Sequence, residues 1–432
     1  MKQDQIADKT TAYWWEAAPP RPIPEHPLPR ELDIAIVGAG YAGLSAGIVL
    51  ARAGRAVACL DKMNPGEGAS SRNGGITSGN IRPGRADLVR RYGEKHADAI
   101  DAEGKQAREF VYAMIRDENM DCDFQPVGRF LGAYGRAQYD EMARDADRLA
   151  AQLGIESYAV PPERQHDYIG TDVYRGGTVR MDIGGLHPAK FHRELLRVAQ
   201  GAGVGVHSGV QVQSIERQGS GFVVHTSKGQ IRAGQVLVCT NGYTDAGDRW
   251  LRRRLIPVRS RIIVTEELPP EVMARLMPKN MMMSENRMLG FYYRPTPDHR
   301  RILLGGRDGS VYSEPVGPVL HLRDGLIELF PELKDVRLSH TWYGNVAMNR
   351  DMLPRIFTRN GVHYATGFCG SGVVWAPWIA SRAAYKMLGD RERGVSGFDM
   401  RPPPAVPFYN GTPWFMPAMM HVFRLQDVML MR

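Results

Sequence analysis

The sequence predicts an α/β fold in which two domains are intertwined along the chain, and three observations carry that prediction. Residues 33 to 61 read as strand, glycine turn, helix and strand. Residues 362 to 388 repeat a strand–glycine–helix junction far downstream, and residues 250 to 346 hold short aromatic-rich runs that suit a mostly antiparallel sheet. With 432 residues and 43% hydrophobic content the chain can build more than one core.

The first unit is a Rossmann-like dinucleotide grip. Asp33 to Val37 forms a buried parallel strand, Gly38-Ala39-Gly40-Tyr41-Ala42-Gly43 a phosphate turn, Leu44 to Ala53 a helix, and Ala56 to Asp61 a second strand. Gly38 permits the tight turn, Gly40 lets backbone approach a pyrophosphate at the positive helix end, and Gly43 lets the helix pack on the strand. Asp61, followed by Lys62, stands about 20 residues beyond the turn, where an acid can accept hydrogen bonds from a ribose. The loop that follows, through Gly68, Ser70, Ser71, Arg72, Asn73, Gly74 and Gly75, is too rich in Gly, Ser and Asn for regular structure. Its N–H groups, hydroxyls and guanidinium suit a pyrophosphate, and its bare backbone suits a flat ring.

Around this unit the chain divides into segments. Residues 1–30 are a proline-rich arm, with Tyr13, Trp14 and Trp15 as anchors onto the chain's own body or onto a neighbouring subunit. A discontinuous dinucleotide-binding domain is expected over 31–83, 184–249 and 347–392, a second, substrate domain over 84–183 and 250–346, and a tail with a helix over 393–432. Helical spacing covers Ala86 to Ile115 and Tyr139 to Leu153, with extended chain from Cys122 to Tyr134. The nucleotide pattern resumes at Leu186-His187-Pro188, where His187 is placed to cap a helix running to about Gln200. Strands at 204–207 and 210–217, a meander through Phe222 to Thr226 and a buried strand ending in Thr240-Asn241-Gly242 follow. A helix at Val319 to Phe330 interrupts the antiparallel runs, and the strand Val362 to Thr366 enters Gly367-Phe368-Cys369-Gly370-Ser371-Gly372 before a helix from Val373 to Leu388.

Two glycine-rich strand-to-helix junctions in one chain favour FAD over NAD. FAD is long enough for one junction to hold its pyrophosphate and the other its flavin. A reduced flavin is negative near N1 and C2=O, and the N–H groups that open the Val373 helix, with Ser371 near the cap, complement that charge.

Gly38-x-Gly40-x-x-Gly43, the loop Gly68 to Gly75, Leu186-His187-Pro188, Cys239-Thr240-Asn241-Gly242-Tyr243-Thr244, Pro257-Val258-Arg259-Ser260 with Thr265-Glu266, Leu304-Gly305-Gly306-Arg307, Trp342-x-Gly344 and Gly367 to Gly372 occur in that order. Together they resemble the FAD-dependent D-amino-acid-oxidase superfamily and, within it, gamma-glutamylputrescine oxidase-like enzymes. The resemblance implies a non-covalent FAD with its adenosine near Asp61 and Val212 and its pyrophosphate near Gly40, Tyr41, Ala42, Ser70 and Arg72. The flavin is then expected against Asn73, Gly74, Gly75, Gly344 and the Gly370 loop. It further implies hydride transfer to flavin N5 from a C–H bond beside an amine nitrogen, with the imine hydrolysing to a carbonyl compound. Ser371 stands where relatives often place His. The loop after Gly68 has no His or Cys for a covalent flavin link, and Arg301 to Leu304 offers no Lys of the kind some relatives use to activate oxygen. The electron acceptor is therefore oxygen or a carrier.

Oxidation of an amine needs the neutral amine, which an apolar aromatic cage favours. Tyr293, Trp342 and Trp375 are candidates for that cage, with plain core packing as the other reading of each. Arg259, Arg294 and Arg350 are candidates for holding a substrate carboxylate.

The net charge of +8 comes from interleaved charges, and the run Arg252-Arg253-Arg254 lacks the aromatic interleaving of a nucleic-acid site. The four cysteines are scattered, which argues against a metal site and for a reducing compartment. Lys2 precedes no apolar run, so no secretory signal is expected and cytoplasm is the default. The Met-rich tail from Trp414 to Arg432 suits docking on the chain's own body more than a membrane. The leading expectation is an FAD-dependent oxidoreductase that deaminates an amine or amino acid. Beside it stand a dehydrogenase of D-amino or N-alkyl amino acids that uses another carrier, and a non-catalytic flavoprotein subunit. A flavin-dependent aromatic hydroxylase is disfavoured because the C-terminal junction lacks a Gly-Asp-Ala motif.

Overall fold

Hydrophobic alternation in the strand Glu31–Val37 divides the interior into two layers. Ile34 and Ile36 point into a core shared with helices, whereas Ala35 and Val37 point into a core shared with the small meander. The computed structural model describes residues 6–311 and 316–430; Lys2 and Arg432 lie outside them.

In chain order the strands and helices are β1 (Ala7–Lys9), β2 (Glu31–Val37), α1 (Tyr41–Arg52), β3 (Val57–Leu60), α2 (Arg85–Tyr92), α3 (Glu94–Asp117), β4 (Arg129–Gly132), α4 (Arg136–Leu153), β5 (Ser157–Val160), β6 (Gly177–Arg180), α5 (Pro188–Gly201), β7 (Gly205–His207), β8 (Val212–Gln218), β9 (Gly221–Thr226) and β10 (Gly229–Val238). They continue with α6 (Arg249–Arg252), β11 (Ile256–Thr265), α7 (Pro270–Leu276), β12 (Met282–Glu285), β13 (Tyr292–Pro295), β14 (Ile302–Asp308), α8 (Gly317–Leu329), β15 (Leu338–Met348), β16 (Arg355–Arg359), β17 (Val362–Thr366), α9 (Gly372–Met387) and α10 (Met416–Leu430).

One sheet has the order β16-β17-β10-β2-β3-β7, with β8 and β9 attached through β10. Its strands β17, β10, β2, β3 and β7 are mutually parallel, so the turns after β2 and β17 open at the same end. Helices α1, α5 and α9 cover one face and meet α3 in a common apolar core. The second sheet, β1-β15-β11-β14-β13-β12-β4-β6-β5, joins strands from residues 129–180 to strands from 256–348. It is antiparallel except at β1·β15 and β12·β4, and α8 and α7 pack on the side away from the first sheet. β15 runs through positions 346 and 347, where the sequence suggested a boundary.

Two local expectations change. The helix expected over Ala86 to Ile115 is two helices, because Gly93 has φ +82° and ends α2 as it begins α3. Of the extended run expected from Cys122 to Tyr134 only Arg129–Gly132 is a strand; Gln125 instead exchanges two backbone hydrogen bonds with Gly185. The arm lies on the chain's own body: β1 is the edge strand beside β15, and Trp14 is fully buried. The tail also docks on the body, with Met416 and Met420 packed against Val258, Met348 and Cys369.

Candidate active site

An elongated cavity lies along the carboxyl ends of the parallel strands. One end is lined by Leu60, Asp61, Lys62, Val210, Val212 and Asp245, the middle by Gly38, Gly40, Tyr41, Ala42, Ser70, Cys239, Thr240 and Asn241, and the far end by Asn73, Asn345, Phe368, Gly370, Gly372, Val373 and Ala376. In both helices that begin at it, α1 and α9, the N-cap residue provides no side-chain cap, which leaves first-turn N–H groups, other than that of Tyr41, without a capping partner beside the cavity. Two uncapped helix ends along one channel fit a ligand with two anionic regions, and FAD with its pyrophosphate and its flavin C2=O region is such a ligand.

The walls are held from behind. Asp61 accepts N–H of Ala39 at 2.8 Å and of Met63 at 2.9 Å, so its carboxylate shapes the glycine turn as well as facing the cavity; removal from water raises its pKa. Lys62 is paired with Asp245 at 2.8 Å and also donates to the Tyr243 carbonyl, closing that end of the channel. Ser70 Oγ accepts the Tyr41 N–H at 3.1 Å, joining the polar loop to the start of α1.

The rest of that loop is pinned by the arm and the second sheet. Ser71 is buried and accepts the Trp15 indole N–H at 2.7 Å. Arg72 donates to the Glu67 carbonyl and stacks on Trp15 at 4.3 Å, which turns it away from the cavity. Asn73 donates to the Ala69 and Ser70 carbonyls and accepts Gly75 N–H at 2.8 Å, while its own carbonyl accepts the Trp14 indole N–H at 2.8 Å. Gly43, in the first turn of α1, faces Gly38 and Ile36, and Gly242 is pressed against Asn345 of β15; neither lines the channel. Gly344 faces Ala69 and Arg72, and Ser371 pairs with Ser78 at 3.0 Å.

Beyond Asn73 the polar loop meets the second sheet. A Cβ on Gly74 would stand 2.7 Å from the Tyr292 ring, and one on Gly305 would strike the same ring. Tyr292 shares a hydrogen bond of 2.9 Å with Ser260, and burial pushes its phenol up to about 12. The cross-strand rows Tyr292–Gly305–Ile262–Trp342 and Arg307–Ser260–Gly344 lie on the face turned toward the loop. Arg82 reaches the same region from the other wall, donating to the Cys369 carbonyl at 3.3 Å.

The proposed cage residues do not come together. Tyr293 points to the opposite face and shares a hydrogen bond of 2.8 Å with Tyr174; Trp342 is buried beneath the loop and donates to the Arg72 carbonyl; Trp375 packs on Phe398 and donates to the Asn80 carbonyl. They belong to three separate clusters, because the second sheet and α9 each have an interior of their own to fill. Among the arginines, Arg294 is fully buried and donates from Nε and Nη1 to the carbonyls of Pro295, Gly75 and Leu186, while its buried Nη2 makes no hydrogen bond. Arg259 stacks on Tyr343 at 4.4 Å and donates to Ser310, and Arg350 is exposed. Tyr292, Arg82 and Arg307 were not singled out from the sequence. For Tyr292 a signal existed in Phe291-Tyr292-Tyr293, but the parity of a strand is unreadable until its partner is known.

Two buried histidines support the same end of the fold. His187 caps α5 by accepting Lys190 N–H at 3.1 Å, as its position before Pro188 suggested, and His192 Nε2 donates to the Ala39 carbonyl at 2.8 Å. Burial lowers both pKa values to about 4 from 6.5. Folding therefore favours the neutral rings, and stability present above pH 6.5 is lost as pH falls toward 4, by about 1.4 kcal/mol per pH unit per histidine. Urea midpoints measured between pH 7 and pH 4.5 are expected to fall with that slope, and His192→Gln to remove part of it.

Comparison with known proteins agrees with this geometry. A family described as FAD dependent oxidoreductase matches residues 33–386. The probable oxidoreductase OrdL of Rhizobium meliloti (strain 1021) is 29% identical over 384 residues, 87% of this chain and 88% of that protein. The gamma-glutamylputrescine oxidoreductase of Escherichia coli (strain K12) is 29% identical over 373 residues, 84% of each chain. Glycine oxidase from Geobacillus kaustophilus has the same fold, with a TM-score of 0.71 at 18% identity over 88% of this chain and 99% of that one.

Proposed function

The chain belongs to the FAD dependent oxidoreductase family, and from that premise we propose that it oxidatively deaminates a primary or secondary amine, either a polyamine-derived amine or an amino acid. When bound, FAD supplies the acceptor for a hydride leaving the C–H bond beside the amine nitrogen, and the resulting imine is hydrolysed to a carbonyl compound and ammonia or an amine. The chain's part is to hold and shape. The turn Gly38 to Gly43, with Ser70, is read as the pyrophosphate seat, Asp61 and Val212 as the adenosine end, and Gly74, Gly75, Gly370 and Gly372 as the approach to the ring. No Cys or His stands in the loop Gly68 to Gly75, which favours a non-covalent cofactor.

The observation that carries the reading is the Tyr292 ring, which packs against Gly74 beyond the Asn73 end of the channel, with Arg82 close enough for its charge to act on the phenol. The buried phenol ring and the nearby Arg82 cation both disfavour an ammonium ion, which favours the neutral amine whose C–H bond can be oxidised. Tyr292 takes the cage role in this reading, and its phenol remains protonated at neutral pH. Among the described residues no helix is long and apolar enough to cross a membrane. The four free thiols suit a reducing cytoplasm.

Purified protein is expected to be yellow and to bleach anaerobically with at least one member of a panel of polyamines, N-alkyl amino acids and D-amino acids. Bleaching by none of them would remove the amine reading. Admitting air then separates the acceptors: rapid return of colour marks an oxidase, and persistent bleaching reversed by a dye marks a dehydrogenase.

A further inference from the structure

We propose that Arg108, Arg129 and Arg180 are positioning residues for the oxidation: a buried cationic clamp that acts through Ser78 and Asn80, keeps the N-terminus of α9 open toward the channel, and so favours the reduced, negative flavin. The inference rests on the placement of the flavin at the Gly370 end given above, and on no particular amine.

The three arginines come from α3, β4 and β6 and share one carboxylate. Arg180 grips Asp182 through Nε at 3.1 Å and Nη2 at 2.8 Å, and Arg108 meets the same group at 2.5 Å. Arg129 stands directly opposite Arg180 in the sheet and, among the described residues, makes no salt bridge. Like charges directly opposite on paired strands destabilise a sheet, and here the interior adds to that cost, because Arg108 is 3% and Arg129 7% exposed. The Nε of each is buried without a hydrogen-bond partner. Burial and the neighbouring guanidinium groups bring Arg129 down to about 9 and Arg108 to about 10, so both stay charged at neutral pH. Three cations against one carboxylate leave two positive charges in excess inside the protein, an arrangement that packing alone does not call for.

The clamp ends on the first turn of α9. Arg108 Nη1 donates to the Ser78 carbonyl at 3.0 Å. The Asn80 amide, its oxygen turned to Arg129 Nη1 at 2.6 Å, donates to that same carbonyl at 3.2 Å. The segment they hold lies against α9: the Trp375 indole donates to the Asn80 carbonyl at 3.1 Å, and a Cβ on Gly79 would stand 3.1 Å from both Arg108 and Val374. Ser78 Oγ is 3.0 Å from Ser371 Oγ. Ser371 is the N-cap residue of α9, and with its hydroxyl turned to Ser78 it gives its own helix no side-chain cap. Gly372, Val373 and Ala376 of the same helix start line the far end of the channel. The arginines thus press on one side of a helix start whose other side faces the ligand. Two effects follow for a ring that becomes negative there. Excess positive charge acts on it through an interior of low dielectric, and the helix amides stay free to meet it.

The test reads the flavin without an amine. Sulfite adds to oxidised flavin and leaves the ring negative, so its dissociation constant, read from bleaching of the yellow band, reports how well a negative ring is held. The midpoint potential against a reference dye reports the same property. Both are measured in wild type, Arg129→Met, Arg129→Lys, Ser78→Ala and Val373→Thr, with FAD content and thermal midpoint reporting folding. Arg129→Met removes a charge that no carboxylate pairs, and is expected to weaken sulfite binding about 10-fold, which for a two-electron couple is a potential lower by about 30 mV. Ser78→Ala frees Ser371 to cap α9 and is expected to act in the same direction, whereas Arg129→Lys keeps the wild-type values. FAD-loaded Arg129→Met and Ser78→Ala proteins with wild-type sulfite affinity and potential overturn the clamp, as does an Arg129→Lys protein impaired as much as Arg129→Met. Where Arg129→Met holds no FAD, Ser78→Ala decides, and where wild type takes up no sulfite, the potential decides by the same criterion. Val373→Thr puts a hydroxyl at the far end of the channel and tests the placement of the ring. A shifted flavin band in that variant beside unchanged clamp variants overturns the clamp alone; an unshifted band beside unchanged clamp variants overturns the placement with it. A wild type that no amine bleaches leaves every one of these readouts intact, so the clamp and the amine reading fail separately.

Discussion

Replacing Gly43 by alanine is expected to yield a protein that no longer retains FAD, with affinity reduced at least about 100-fold. A Cβ at this position would stand 1.9 Å from the Gly38 carbonyl oxygen and 3.3 Å from Ile36. The obstructing atom is backbone in the phosphate turn itself, so no rotamer change relieves it, and α1 must lift from β2. Lifting α1 moves the first-turn amides that face the cavity, and with them the seat of an anion. Gly40 makes the contrast: its added Cβ would meet the Ser70 hydroxyl at 2.8 Å, the end of a side chain that can swing. Gly40→Ala is therefore expected to keep its fold and to weaken the cofactor through crowding of the ligand, whereas Gly43→Ala loses both. The visible-to-ultraviolet absorbance ratio before and after incubation with FAD measures the difference. A Gly43→Ala protein that is fully yellow would contradict the packing described.

Trp14→Ala is expected to have the largest effect of any change in the arm. Trp14 is completely buried among Ala189, Ile262, Val264, Leu303 and Trp342, lies edge-on to His187 at 4.8 Å, and donates its indole N–H to the Asn73 carbonyl. Removal of so large a side chain costs about 3–5 kcal/mol, which at this chain length lowers the melting temperature by about 3–6 °C. It also frees the loop from Ser70 to Gly75 on its outer side, so FAD dissociation is expected to accelerate. Trp14→Phe keeps most of the volume and loses the N–H, leaving the Asn73 carbonyl without that donor at a cost of about 1–3 kcal/mol. Melting curves with and without added FAD separate the two terms. Equal loss in both variants would place the effect in the hydrogen bond alone.

Legibility differed by region for physical reasons. The unit from Asp33 to Asp61 was readable because its contacts are local: strand, turn and helix follow within 30 residues, and their hydrophobic periods change in register with the glycines. The strand Val362–Thr366 and the helix behind it were readable for the same cause. The region opposite Gly74 was not. Tyr292 and Tyr293 are neighbours with the same chemistry, and only the pairing of β13 with β14 decides that the first faces the polar loop and the second faces Tyr174. Arg294 looked as available to a substrate as any arginine, yet it is fully buried and its Nε and Nη1 serve three backbone carbonyls. The proline-rich arm read as a surface strap, and its indoles turned out to hold Asn73 and Ser71 across more than 50 intervening residues.

By itself the sequence determined the strand–turn–helix–strand unit at 33–61, a second glycine junction before the last long helix of the parallel sheet, and the family they resemble, because each unit depends on residues close together in the chain. Tertiary structure alone decided which side chains meet opposite Gly74. Tyr292 and Arg307 stand on neighbouring strands whose register, which sequence cannot supply, turns both toward the polar loop, and Arg82 reaches the same region from the segment after Gly75.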